Sequence, residues 1–97
     1  MDSTCHELSA AATVEEVLRV TRRYVLRVRR EVPVQWRPPP VRGPRDIEVW
    51  ADLLNEASRA LRPPSEEMTP IDRLALNFLI ASVRVRQLEA VEVRAAA

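Results

Sequence analysis

All eight prolines of this 97-residue chain lie between positions 33 and 70, and they divide the sequence into three proline-free segments. One group of prolines falls within 33–44 and the other within 63–70. A proline lacks the backbone N–H of the helical ladder and disfavours helix at the residue before it, so each group ends one element before the next begins. The prolines therefore predict three regular elements and two connectors, and the chain length allows one domain.

The first element is predicted to be a helix over about 13–32. Thr13 precedes Glu16 by three residues, which is the spacing of a capping box at a helix start. With helical periodicity the apolar side chains fall on one face and the arginines on the other, whereas the strict alternation of a strand fails at Leu26. The inner face consists of Val14, Val17, Leu18, Thr21, Tyr24, Val25, Val28 and Val32.

Two further helices are predicted over about 44–62 and 70–93. Each begins with a proline, Pro44 or Pro70, at the first helical position, where the missing N–H costs nothing. From 71 to 85 the last helix is apolar on nearly every side. Such a helix is surrounded by protein, so we expect it to be the central helix of the bundle or to leave one side free for another chain.

The predicted fold is all-α: a small three-helix bundle with a Pro-rich extended crossover between its first two helices. Its parts are a flexible tail at 1–12, a single helical domain at 13–94 with the connector at 33–43, and a tail at 95–97. As polyproline at roughly 3.1 Å per residue, the connector spans about 30 Å, the length of the first helix. We therefore expect it to run back along that helix, held by Val34, Trp36 and Val41. The second helix then starts beside the beginning of the first and runs parallel to it.

Charge is divided unevenly along the chain, although the net charge is only +1. Between Arg19 and Arg45 there are nine arginines and one carboxylate, Glu31, whereas the remaining six arginines face thirteen carboxylates. The first half is therefore basic and the second half acidic. All fifteen basic residues are arginine, which excludes every mechanism that needs a lysine amine.

The sequence offers little material for catalysis. Its one cysteine and one histidine, Cys5 and His6, are adjacent in a segment predicted to be flexible, where nucleophile and base do not hold hydrogen-bond geometry. Gly43 is the single glycine, so a glycine-rich phosphate loop is lacking, and no spacing of ligand residues predicts a metal site. We therefore expect no enzymatic activity, no cofactor, no metal and no small-molecule substrate.

The expected location is cytoplasmic, or nuclear if the host is eukaryotic. One cysteine cannot form an internal disulfide, and a lone thiol suits a reducing compartment. The first thirty residues lack the pattern of a signal peptide, and no apolar run approaches the roughly 18 residues of a membrane span.

An arginine face is the first candidate binding surface. It joins the polar side of the first predicted helix to arginines of the connector: Arg19, Arg22, Arg23, Arg27, Arg30, Arg37 and Arg42. A row of guanidinium groups can pair with phosphates, but no aromatic residue interleaves with these arginines as in nucleic-acid-binding modules. Three interpretations stay open: a solvated surface, a site for an acidic protein or a second copy, and a nucleic-acid site. Membrane binding is disfavoured, because the core needs the apolar face.

The second candidate surface lies on the last predicted helix, where a narrow polar strip of Arg73, Asn77 and Arg84 interrupts the apolar surround. The strip is either the solvent seam of a central helix or a polar contact within an interface. The residues assigned to the interface are Arg73, Leu76, Asn77, Ile80, Val83 and Arg84. On the middle helix, Glu48, Asp52 and Glu56 follow one another at four-residue spacing and indicate a solvated acidic face, or a site for a cation or a basic partner.

These patterns predict a small non-enzymatic helical protein that works by binding another macromolecule. The favoured partner is another protein or a second copy of the chain, with the protein acting as an adaptor, inhibitor or assembly factor. The alternative is a regulator that binds nucleic acid through the arginine face.

Overall fold

A computed structural model describes residues 3–61 and 67–96 of the chain, and within these residues the regular structure is helical throughout. The helices are α1 (Thr4–Ala10), α2 (Val14–Val28), α3 (Pro44–Leu61) and α4 (Pro70–Ala96). The all-α prediction is confirmed. The described part of the chain holds four α-helices, however, where the sequence predicted three.

α4 is the helix around which the others are arranged. Each of α1, α2 and α3 makes more contact with α4 than with any other helix. Phe78, Ala81 and Val85 in the middle of α4 are fully buried. α3 packs along α4 and hardly touches α2, so the predicted side-by-side packing of α2 and α3 is not formed.

Helix α1 lies in the segment that was predicted to be a flexible tail. Its Thr4 and Leu8 side chains are each 1% exposed, so the helix is docked on the domain. Arg27 donates a hydrogen bond of 2.8 Å from Nη2 to Thr4 Oγ1, and Arg23 forms an ion pair of 2.7 Å with Glu7. A helix of seven residues is not stable alone, so its docking contacts decide whether it forms.

α2 starts as its capping residues predict and ends earlier than predicted. The Oγ1 atom of Thr13 accepts a hydrogen bond of 3.1 Å from the backbone N–H of Glu16, and the Glu16 carboxylate accepts one of 3.0 Å from Ala12 N–H. The helix ends at Val28 and continues as a single 3₁₀ turn, Arg29–Glu31. The chain leaves helical geometry before Val32, which is buried.

α3 and α4 form an antiparallel pair. Near the start of α3, Arg45 binds Glu89 at 2.5 Å. Near its end, Asn55 donates a hydrogen bond of 3.1 Å to the carbonyl oxygen of Ala75, and Ser58 donates one to Asp72. The predicted end of this helix at 62 lies outside the described residues.

The N-terminus of α4 has the predicted cap. Thr69 Oγ1 accepts from Asp72 N–H at 3.3 Å, and the Asp72 carboxylate accepts from Thr69 N–H at 2.9 Å. The helix runs to Ala96, three residues past its predicted end at 93, so 95 and 96 belong to it and do not form the predicted tail.

The connector 33–43 is not a continuous polyproline segment, because Val34–Trp36 forms a 3₁₀ turn. Val34 is 72% exposed, so the prediction that it holds the connector down is wrong. Pro38 and Val41 are buried, and Trp36 is half-buried. Arg22, in the middle of α2, donates hydrogen bonds to the carbonyl oxygens of Val41 and Arg42 at 2.7 and 3.3 Å. The connector therefore returns against α2 before α3 begins.

Candidate protein-interaction surfaces

Four of the seven arginines assigned to the arginine face bind other parts of the same fold. Arg22 holds the connector, and Arg23 and Arg27 hold α1, with the Arg27 guanidinium 5.6 Å from the centre of the Tyr24 ring. Arg37 donates a hydrogen bond of 3.0 Å to the carbonyl oxygen of Val32. These side chains join segments of the domain, so the predicted face is only in part a free surface.

The other three arginines of the predicted face are exposed. The side chains of Arg19, Arg30 and Arg42 form no hydrogen bond or ion pair with the residues that the structure describes. Arg29, which was not assigned to the face, is also exposed, and its side chain likewise forms no hydrogen bond or ion pair with a described residue. These four guanidinium groups therefore have all of their hydrogen-bond donors available to a partner.

A pocket of about 200 Å³ opens between α2 and the connector. Its lining residues are Arg22, Val25, Leu26, Arg29, Pro38, Pro40 and Val41. Leu26 is 72% exposed on the polar side of α2. The sequence signal for this pocket was Leu26, which interrupts a run of arginines. From the sequence alone, Leu26 served only as evidence against a strand.

A stripe of aliphatic side chains on α4 faces away from the core. Leu76, Leu79 and Val83 are 42%, 44% and 46% exposed, and Ile80 is half-buried. Their spacing of three, four and seven residues places them on one helical face. We call Leu76, Leu79, Ile80 and Val83 the α4 stripe.

Leu79, Ile80 and Val83 of the α4 stripe line two adjoining depressions, and Leu79 belongs to both. One, of about 430 Å³, lies towards α1 and includes Ser9 and Arg84. The other, of about 410 Å³, lies towards α3 and includes Asp52, Glu56 and Arg59. The stripe is therefore a shallow groove bounded by α1 on one side and α3 on the other.

Three of the predicted interface residues are in the α4 stripe, and Asn77 is not on the surface. Asn77 is only 6% exposed, because it lies one turn before the fully buried Ala81 on the covered side of α4. The predicted strip of Arg73, Asn77 and Arg84 is therefore not one continuous polar seam. Sequence reasoning missed Leu79, since the pattern did not indicate which apolar residue of α4 remains uncovered.

Arg73 and Arg84 lie along the α1 side of the groove. At about 100° per residue, eleven positions bring them to within roughly 20° of each other around the helix. Arg84 donates from Nε and Nη2 to the carbonyl oxygen of Ala11 at 2.9 and 2.7 Å, and Arg73 donates to the carbonyl oxygen of Met68 at 3.1 Å. We call these two arginines the basic rim.

The predicted acidic row on α3 divides into a paired and an unpaired part. Glu48 binds Arg45 at 2.6 Å and Arg86 at 3.4 Å. The hydrogen bond from Arg45 to Glu89, together with the charges of Glu48 and Glu89, raises the pKa of the Arg45 guanidinium. Asp52 and Glu56 are exposed and make no ion pair with a described residue. We call Asp52 and Glu56 the acidic rim of the groove.

Cys5 and His6 are on the exposed side of α1, and Cys5 is a free thiol. Adjacent residues of a helix do not face each other, so this pair has no nucleophile–base geometry. Within 3–61 and 67–96 no three His, Cys, Asp or Glu side chains come close enough to hold a metal ion. In the same ranges no helix combines the length and the apolar character needed to cross a bilayer.

Comparison of the chain with protein-family models, with curated proteins and with solved structures finds no match.

Proposed function

We propose that this protein is a non-enzymatic protein–protein interaction module that self-associates through the α4 stripe. The observation that carries the proposal is the row of three large aliphatic side chains, each more than 40% exposed, on the central helix of the domain. Contiguous exposed apolar surface on a small protein marks an interaction site, because burying it against a partner releases the water that covers it.

The charges beside the α4 stripe favour a second copy of the chain as the occupant. Arg84 lines the depression towards α1, and Arg73 lies on the same side of α4. The depression towards α3 is lined by Asp52, Glu56 and one arginine, Arg59, so its charged side chains are net negative. A twofold axis parallel to α4 brings the acidic rim of each copy against the basic rim of the other. An antiparallel pairing of the two α4 helices would instead place like rims together, so a parallel pair is favoured.

The heights of the charged residues along α4 agree with this pairing. Ser58 bonds to Asp72 and Asn55 to Ala75, so Glu56, which lies between them on α3, is at the height of Arg73. In a parallel pair, residues at the same position along the α4 axis face each other across the twofold axis. Glu56 of each copy then faces Arg73 of the other, which gives two symmetric ion pairs beside the apolar contact.

Light scattering coupled to size-exclusion chromatography tests the proposal. We expect a dimer mass that falls towards the monomer on dilution, and a monomer for Leu79→Glu. Leu53→Glu is the matched control, because Leu53 is also a leucine, is 43% exposed, and lines neither depression of the groove. A strict monomer for the unaltered protein at every concentration would contradict self-association.

Nucleic acid is the weaker candidate. Four arginines of the predicted face are already bound within the fold, and none of the aromatic side chains offers an open stacking surface. Tyr24 and Phe78 are buried, and Trp36 and Trp50 are partly covered. Single-stranded nucleic acid is held by stacking on exposed aromatic rings as well as by charge. We also propose a cytoplasmic location, because a free exposed thiol suits a reducing compartment.

A further inference from the structure

Leu26 is a largely exposed leucine surrounded by cations. Arg19, Arg22 and Arg23 are its neighbours on α2 at seven, four and three residues, and Arg29 and Arg30 follow it at three and four residues in the 3₁₀ turn that continues α2. Its exposure of 72% exceeds that of every residue in the α4 stripe. Arginines alone would make a purely electrostatic surface, whereas a leucine among them adds an apolar contact at its centre.

The pocket beside Leu26 has walls that hold their shape without a ligand. Pro38 and Pro40 have fixed φ angles, and Arg22 ties the chain that follows them to α2 through the carbonyl oxygens of Val41 and Arg42. The volume of about 200 Å³ is below the roughly 300–1,000 Å³ of sites that enclose a whole small-molecule ligand. The pocket therefore has the size for one side chain of a larger partner.

The charge around the pocket selects the chemistry of that partner. Arg29 lines the pocket, Arg19 is exposed on α2, Arg30 is exposed in the 3₁₀ turn after α2, and Arg42 follows the connector wall. None of these four side chains pairs with a described residue. From Arg19 to Arg45 the chain contains a single carboxylate, Glu31. The surface is complementary to a partner that carries several carboxylates.

We propose that the Leu26 pocket docks an acidic segment of another protein. One aliphatic or aromatic side chain of the segment inserts against Leu26, Val25 and Pro38, and its flanking carboxylates pair with Arg29, Arg30 and Arg19. A nucleic acid would satisfy the arginines through phosphates but would leave the apolar pocket unfilled. This site includes no residue of the α4 stripe, so it is independent of the proposed self-association.

A pair of synthetic peptides tests the site on the full chain: Ac-DEEDLDEED-NH2 and the same peptide with serine in place of the central leucine. In a ¹H–¹⁵N NMR titration, we expect the leucine peptide to shift the amides of Val25, Leu26, Arg29 and Val41. The serine peptide should bind at least fivefold more weakly. The Kd of the leucine peptide should rise as salt is added, because the arginines contribute by charge.

Matched variants separate the two parts of the contact. We expect Leu26→Ser to abolish the difference between the peptides, and Val93→Ser, at a position 70% exposed, to preserve it. Arg29→Glu should weaken binding at least fivefold, while Arg94→Glu, an equal change of charge on an exposed residue outside the pocket, should not. The mass by light scattering should stay that of the unaltered protein in Leu26→Ser, so this site and self-association can fail separately.

Three outcomes would overturn the proposal. Equal affinity for the two peptides would reduce the site to unspecific electrostatics. Binding of a dodecathymidine strand with affinity equal to that of the leucine peptide, unchanged by Leu26→Ser, would identify a nucleic-acid surface. The absence of any shift around Leu26 with millimolar leucine peptide would show that the pocket does not accept an acidic segment.

Discussion

The Arg84 guanidinium donates two hydrogen bonds to the carbonyl oxygen of Ala11, from Nε at 2.9 Å and from Nη2 at 2.7 Å. Ala11 follows the last residue of α1 and is 3% exposed, so its carbonyl oxygen lies in the turn between α1 and α2. One side chain of α4 thus holds the end of α1 and the approach to α2. This contact spans 73 positions of the chain and fixes the corner at which three helices meet.

Replacement of Arg84 by alanine should destabilise the domain. A hydrogen bond that involves a charged group contributes about 1.5–3 kcal/mol, and the carbonyl oxygen of Ala11 would lose both donors. We expect the free energy of unfolding in urea to fall within that range, with faster amide exchange in α1. Arg94→Ala, at an exposed position, should change it by less than about 0.5 kcal/mol. A loss for Arg84→Ala no larger than this control would show that the contact is not formed.

Leu8→Ala tests whether α1 is a docked helix. Leu8 is 1% exposed, and truncation of a buried leucine to alanine costs about 2–5 kcal/mol. Leu26→Ala removes the same atoms from a leucine that is 72% exposed and should cost less than about 0.5 kcal/mol. Chemical denaturation measures both variants. If both variants lose an equally small free energy of unfolding, α1 is not docked and the predicted flexible tail is correct.

The starts of α2, α3 and α4 could be predicted because they depend on local chemistry. Pro44 and Pro70 stand at the first positions of α3 and α4, and Thr13 and Thr69 accept the capping hydrogen bonds that their spacing indicates. A proline or a capping side chain acts within one turn of its own position. A single sequence contains all the information such an effect requires.

Helix α1 and the roles of the arginines could not be predicted, since both depend on contacts between distant segments. α1 has too few residues for an apolar periodicity, and burial of Leu8 needs α2 and α4 to be in place. A helical projection puts Arg22 and Arg19 on one polar face, yet Arg22 reaches the connector carbonyl groups and Arg19 does not. The uncovered apolar residues of α4 likewise follow from where α1 and α3 lie.

Loss of the Arg22 contact should loosen the wall of the Leu26 pocket. Arg22→Met keeps an unbranched side chain but removes the donors to Val41 and Arg42. We expect the free energy of unfolding to fall by about 1.5 kcal/mol, the lower figure for hydrogen bonds of a charged group, because one of the two bonds is exposed. For a domain of this size that lowers Tm by roughly 6–12 °C. Arg19→Met should leave Tm within a few degrees of the original, and equal Tm values for the two variants would contradict the contact.

A charge exchange between α3 and α4 tests the parallel pairing of two copies. Glu56→Arg and Arg73→Glu each remove two symmetric pairs from the proposed dimer. At about 0.2–1 kcal/mol for an exposed pair, two pairs contribute about 0.4–2 kcal/mol, so their loss alone should raise the dimer Kd roughly 2- to 30-fold. The like charges that then face each other raise it further. The double variant recreates the pairs with reversed sign and should recover most of the affinity in analytical ultracentrifugation. An unchanged dimer Kd in both single variants would exclude this arrangement. If the single variants raise the Kd and the double variant does not lower it again, Glu56 and Arg73 do not pair with each other. Leu79→Glu should prevent dimerisation in every one of these backgrounds, because the apolar contact is common to them all.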